Sequence, residues 1–219
     1  MQTKGSYLVT DTDLTYFSEK LQSAFQKFGA LLGDRFSKDV FTKEDSVRYT
    51  FFHAISSDLE LIPSDIILES VHPNIDGDKE IDMLIPEKKD CPELVFEFKY
   101  DVKRRSTSPR PLKAGHLFAD IFRLFLYKKE HQKSKCFLIY VTDFEQANYL
   151  SKEENRLDDF FNLLAGQTLQ INLDYVNNHS DTFVNAAKAY GIHECKISSC
   201  LNLDLANSHY VRIFEIQII

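Results

Sequence analysis

The sequence has no tryptophan, two methionines and only four cysteines among 219 residues. Four cysteines are too few for a disulfide framework, so a reducing compartment is expected. Glycine (7) and proline (6) are also scarce, which excludes a collagen-like or low-complexity chain. No two glycines stand close enough for a G-x-G-x-x-G turn, and neither a P-loop nor a G-x-S-x-G elbow occurs. The seven histidines form no HExxH-type pair. The longest apolar runs, such as CFLIYV at 136–141, fall far short of the ~18 residues that read as a membrane span. The first residues show no apolar signal segment. The expectation is a soluble, cytoplasmic protein with no membrane partner. Basic residues are in deficit, 26 Lys+Arg against 33 Asp+Glu, for a net charge of −7. Taken whole, that acidity argues against a nucleic-acid partner.

What remains is an ordinary globular composition, 43% hydrophobic and 27% charged. A chain of this length buries roughly 70% of its unfolded surface and needs no disulfide or structural metal. A single domain over 1–219 is expected, with a core at about 42–143 and the segments 11–33 and 144–219 packed on it. His193, Cys195 and Cys200 form H-x-C-x4-C. Zinc normally takes four ligands at tighter spacing, so a late strand or loop with half-buried thiols is the expected reading.

Leu14, Phe17, Leu21, Phe25 and Phe28 recur at three and four residues and predict a helix over 13–32, fraying at Gly29 and Gly33. A second helix starts at Thr42, where Thr42 and Asp45 approach a capping box. Its stripe is Val47, Phe51, Ala54, Ile55 and Leu59, and Pro63 stops it. All six prolines lie between Pro63 and Pro111, where strands and loops alternate. Strands are predicted at 65–71, 80–85 and 93–100, with Asp76-Gly77 turning the first into the second. They form an antiparallel meander. A helix over 112–130 then crosses to a buried strand at 136–141, a βαβ unit with parallel strands. Helices at 155–164 and 181–190 and a strand at 211–218 complete an α/β sandwich around a mixed sheet.

One charged constellation stands out. Glu97 and Lys99 share a face of the third strand, whose other face is Leu94, Phe96, Phe98 and Tyr100. Charges on so apolar a strand are costly unless paired or bound to metal. With suitable register, Asp82 of the second strand comes beside Glu97. Two carboxylates suit Mg²⁺ (with Mn²⁺ as a substitute), which keeps waters and bridges to substrate phosphate. Lys99 would position or help deprotonate the attacking water. The string E-x-K occurs three times, at Glu87/Lys89, Glu97/Lys99 and Glu194/Lys196. Only the middle copy lies in an aromatic strand behind an acidic strand residue; the last sits in a segment with little strand character.

Ile81-Asp82 followed by Glu97-Phe98-Lys99 resembles the active-site motif of the PD-(D/E)XK nuclease superfamily, over about residues 42–143. Ile81 replaces the proline of that motif, a position that supplies no ligand. The resemblance implies a restriction-endonuclease-like three-layer sandwich, a mixed central sheet flanked by helices. It also implies a Mg²⁺-dependent endonuclease acting on DNA, in restriction, defence or repair, leaving a 3′-hydroxyl and a 5′-phosphate. Asp82 and Glu97 would hold the metal, Lys99 would serve the water, and Glu44 matches the additional acid of the preceding helix. An i,i+4 pair with Arg48 is the competing reading of Glu44. Asp120 and Arg123, three apart on the crossover helix, read as a structural pair able to orient the site. Residues 99–113 carry +5 against −12 elsewhere, a localised basic stripe. Lys103, Arg104, Arg105, Arg110 and Lys113 of that stripe are expected to bind phosphate backbone. RNA stays open as a substrate, and a homodimer suits cutting of both strands. The rival reading is a nuclease-like fold that has lost cleavage and serves as an interaction module.

Overall fold

A computed structural model describes residues 11–75, 77, 79–88, 91–102 and 108–219, with side chains from residue 17 onward. Leu14, Asp76 of the turn, Lys89, and Lys103, Arg104 and Arg105 of the basic stripe lie outside those descriptions. Among the described residues, seven α-helices and seven strands form a mixed α/β unit. The helices are α1 (Asp11–Ser37), α2 (Glu44–Asp58), α3 (Arg110–Glu130), α4 (Phe144–Leu150), α5 (Asp158–Phe161), α6 (Leu173–Asn177) and α7 (Asp181–Ala187). The strands are β1 (Ile67–Val71), β2 (Glu80–Ile85), β3 (Leu94–Asp101), β4 (Lys135–Asp143), β5 (Thr168–Ile171), β6 (Cys195–Leu205) and β7 (His209–Gln217). They make one sheet in the order β1-β2-β3-β4-β7-β6-β5. Only β3 and β4 run parallel, joined by α3; every other pair is antiparallel.

Each face of the sheet buries its own hydrophobic cluster. On one face α1 and α2 cover Met83, Phe96, Phe98, Phe137, Ile139 and Ile213. On the other, α3, α5 and α7 cover Val95, Leu138, Tyr140, Phe214 and Ile216. Phe51, fully buried on α2, joins the first layer: its ring lies 5.3 Å from Phe28 of α1, and 4.9 and 5.4 Å from Phe96 and Phe98 of β3. This anchor sets the azimuth of α2 and turns Arg48 and Glu44, one and two turns earlier, toward the far end of β3.

The meander, the crossover helix and the parallel pair lie where periodicity puts them. Four expectations need correction. First, α1 runs on through both glycines to Ser37: a Cβ on Gly29 would sit 2.5 Å from the Leu203 side chain of β6, and Gly33 has room for one. Second, α2 starts at Glu44, and the Thr42–Asp45 box is not formed. The Lys43 N–H donates to the Ser46 hydroxyl, and Thr42 donates to the Val40 carbonyl. Third, the helix expected at 155–164 is reduced to α5, since Arg156 is left-handed (φ 55°) and interrupts it. Fourth, the segment around Cys195 and Lys196 is β6, eleven residues long. Cys195, Ile197 and Ser199 are buried on one face at period two, a bulge after Ser199 turns Leu201 into the cluster on the other face, and Cys195 is a core thiol. His193 stacks on Phe125 at 5.4 Å. The strand β5 and helices α4 and α6 were not anticipated.

Gly115 of α3 packs where an added Cβ would lie 2.4 Å from the Phe183 carbonyl and 2.6 Å from the Ala186 Cβ. Gly→Ala inside a helix ordinarily stabilises by about 0.5–1 kcal/mol. Here the clash with α7 backbone dominates. Gly115→Ala is expected to destabilise by about 1–3 kcal/mol, read as a lowered midpoint in urea unfolding.

Candidate active site

The ladder between β2 and β3 runs through Ile85–Leu94, Leu84–Val95 and Met83–Phe96. Past that last pair the strands part, although β2 stays bonded to β1 through Ile81 and Glu80. The same register carried one step on sets Asp82 across from Glu97, and Glu69 of β1 across from Asp82. Parting leaves the outward N–H groups of β3 without a strand partner, and such groups must bond elsewhere when buried. Carboxylates take them. Asp82 Oδ2 accepts from the Phe98 N–H at 2.8 Å, and Glu44 Oε2 accepts from the Tyr100 N–H at 3.0 Å.

Glu97 and Lys99 point from β3 toward α3, where Asp120 and Arg123 meet them. Arg123 Nη2 lies 2.5 Å from Glu97 Oε2 and 3.2 Å from Asp120 Oδ1. Lys99 Nζ lies 3.5 Å from Asp120 Oδ2. On the other side of the parting, Arg48 spans Asp82 Oδ1 at 3.1 Å and Glu69 Oε1 at 3.0 Å. Glu69 is left-handed within β1 (φ 55°), a strained state for a residue with a Cβ. The i,i+4 pair of Glu44 with Arg48 is therefore absent: Arg48 serves Asp82, and Glu44 serves β3. Asp82, Glu97, Lys99 and Glu44, the residues singled out in the sequence, lie together in one cluster. Sequence reasoning gave Asp120 and Arg123 only an orienting part, and it missed Arg48 and Glu69 in the site. The signal for Arg48 was its helical spacing from Glu44 and Phe51.

Glu97 is 1% exposed and its Oε1 meets no donor. Burial, opposed by Arg123 and reinforced by Asp82 and Asp120, holds its carboxyl well above the usual range. Asp82 stands close enough to Glu97 for its charge to add to that rise. Burial likewise raises Glu44, Asp101 and Asp120. For Lys99 burial works downward, but Asp120, Asp101 and Glu44 outweigh it and leave the ammonium above its ordinary value. Lys99 thus stays charged, which favours positioning of a water over taking its proton.

The site carries an excess of acid. Glu44, Glu69, Asp82, Glu97, Asp101 and Asp120 face Arg48, Lys99, Lys113 and Arg123, a formal balance of −2 with all six acids ionised. A divalent cation between Asp82 and the orphaned Glu97 Oε1 would cancel it, and each Asp82 oxygen keeps a second lone pair beyond its hydrogen bond. Among the described residues no group of three or more His, Cys, Asp or Glu side chains has the arrangement of a metal cage. Two carboxylates plus waters is the lower count that Mg²⁺ accepts. Of the basic stripe, Arg110 is paired with Glu145, and Lys113 lines a cavity beside Glu44 and Asp101. No helix among the described residues is long and apolar enough to cross a membrane.

No protein-family model, curated protein or solved structure matches the chain.

Replacing Glu97 by Gln tests the buried charge. The raised pKa means the folded state favours neutral Glu97. That contribution is complete below the ordinary glutamate value of 4.5 and is lost as pH rises through the folded pKa. Glu97→Gln can donate to Asp82 in place of repelling it. In urea unfolding without metal, the two proteins are expected to be alike below pH 4.5 and to separate above it. At neutral pH the variant should be more stable by about 1 kcal/mol, a gain typical of relieved active-site strain.

Proposed function

We propose that the chain is a Mg²⁺-dependent endonuclease that hydrolyses phosphodiester bonds in DNA, with a PD-(D/E)XK-type, restriction-endonuclease-like arrangement. The observation that carries this is the Asp82–Glu97 pair: two adjacent carboxylates, one fully buried with an orphaned oxygen, in a site whose acidic side chains outnumber its basic ones by two. Asp82 and Glu97 would hold the metal. Bound there, Mg²⁺ supplies Lewis-acid polarisation of a phosphoryl oxygen and a water of lowered pKa.

The chain's own residues have separate tasks. Lys99 keeps its ammonium among Asp120, Asp101 and Glu44, from where it would orient a water and offset charge that grows on the phosphoryl oxygens. Asp120 fixes Lys99 from α3, and Arg123 fixes Glu97. Arg48 holds Asp82 and is itself held by Glu69. Glu44 secures the end of β3 through Tyr100 and faces Lys99. Lys113 and the basic stripe would take substrate phosphates. A restriction, defence or repair setting and a homodimer that cuts both strands follow from the same reading.

Plasmid DNA, single-stranded DNA and RNA incubated with Mg²⁺ or Mn²⁺ give the direct test. The wild-type protein should cut DNA and be silenced by EDTA. Asp82→Asn and Lys99→Ala should each lower the rate by about 100-fold or more, the scale of losing one charge-stabilising or proton-handling group. A wild type that cuts nothing, or variants that cut equally well, would leave a nucleic-acid or protein interaction module as the reading of the fold.

A further inference from the structure

A cavity of about 1170 Å³ opens directly beside the carboxylate cluster and shares Glu44, Tyr100 and Asp101 with it. It lies where β3 and the parallel β4 end, a usual place for ligands in sheets of this kind. Two of its lining rings are strongly exposed, Phe41 at 57% and Phe144 at 54%. Exposed aromatic rings around a concave site offer stacking faces. Two polar atoms in its lining are buried without a partner: Asp101 Oδ2, on a residue only 7% exposed, and His209 Nδ1. The His209 ring is fixed by stacking on Phe36 at 3.9 Å. The corner next to it holds two consecutive left-handed residues, Asn207 (φ 54°) and Ser208 (φ 56°). Strain of this kind collects at ligand clamps.

We propose that this cavity is a pocket for unstacked nucleobases, and that the nucleic acid bound by this protein is single-stranded beside the cut. The charges in the lining decide which part of a nucleotide enters. Glu44 accepts from Tyr100, Asp143 caps α4 through the Gln146 N–H, and Glu145 pairs with Arg110. These acids repel phosphate and leave it outside. The unmatched Asp101 oxygen instead calls for a donor, as base amino and imino groups are. Phe41 and Phe144 supply π-faces, which every base can use. Lys113 and Lys43, whose ammonium stands 5.8 Å from the Phe41 ring, supply cations for the backbone. The volume, about 1170 Å³, exceeds the roughly 300–1,000 Å³ of pockets that take one drug-sized ligand. Room for consecutive bases favours a single strand over one base flipped from a duplex.

The pocket deepens the nuclease reading, which it needs only to explain why phosphate lies at the carboxylates. The test is therefore made without metal, where nothing is cut. Oligonucleotides carrying one 2-aminopurine are titrated in EDTA, as single strand and as duplex; a chain without tryptophan does not obscure the signal. The single strand should bind with a changed 2-aminopurine signal, about tenfold or more tighter than the duplex. Phe144→Ala, an exposed site that folding tolerates, should weaken it about tenfold, and Asp101→Asn should weaken it also. Equal binding of duplex and single strand, variants that bind like the wild type, or spermidine occupying the cavity in place of the single strand would overturn the pocket. Base-dependent binding without cleavage in Mg²⁺ keeps the pocket and removes the nuclease reading. Cleavage without a 2-aminopurine response does the reverse.

Discussion

The site depends on one backbone constraint, the parting of β2 from β3 after Met83–Phe96. A buried N–H without a partner costs about as much as the desolvation of any polar group, roughly 1–3 kcal/mol. β3 has two such groups on its open side, at Phe98 and Tyr100, and both are met by carboxylates. The same hydrogen bonds that complete β3 thereby fix Asp82 and Glu44 in position and bring negative charge into a half-buried cleft. Widening the sheet and concentrating acid are a single structural event. The anchor at Phe51 is what lets α2 take part, since its ring sets the helix against Phe96 and Phe98 with Glu44 directed at the opening.

Acid gathered in this way cannot persist without cations, and the protein supplies three from separate elements. Arg48 comes from α2, Lys99 from β3 and Arg123 from α3. The helices lie on opposite faces of the sheet, so the cluster ties both layers together through the parting. Arg48 and Arg123 present planar forks, each holding two carboxylates at once. Removing one fork would leave a carboxylate buried and uncompensated, which is much worse than never having had the pair. By contrast Arg212 on β7 is an arginine with no such function: 3% exposed, it donates to the Phe161, Leu203 and Val211 carbonyls and to Asp204. Its partners are mostly backbone, and none of its neighbours is an orphaned acid.

Much of this was legible in the sequence because it rests on short-range patterning. β2 has the predicted bounds, and the alternation in β3 set Glu97 and Lys99 on one face before any register was known. Asp82 could be placed beside Glu97 because a hairpin limits the choices of register. Glu44 was reached through the resemblance, and its spacing with Arg48 pointed to the wrong partner: side chains four apart on a helix can meet, but the half-buried carboxylate of Asp82 on a neighbouring strand competes better for the guanidinium. Glu69 was hidden because its backbone is left-handed inside a strand, a state that no strand pattern announces. β6 was hidden by its own composition: serine, asparagine and cysteine interleave with the inward Ile197 and Leu201. The glycines of α1 read as helix breakers although Gly29 is a contact with β6, since sequence alone does not separate a glycine needed for its freedom from one needed for its size.

The net charge of −7 can now be understood locally. Acid is not spread evenly against a basic stripe; much of the functional part of it is drawn into the cleft and the adjoining cavity. At the cleft, arginine and lysine balance the acids to within two charges when all are ionised, a shortfall that one divalent cation would remove. In the cavity, Glu44, Asp143 and Glu145 are committed to a strand end, a helix cap and Arg110, while Asp101 keeps an unmatched oxygen. The two regions share Glu44 and Asp101 but differ in what they can accept: the first is suited to a cation with phosphate behind it, the second to neutral groups that donate hydrogen bonds and stack. A polyanion with flat, amino-bearing bases satisfies both, provided its bases are free to turn away from its backbone.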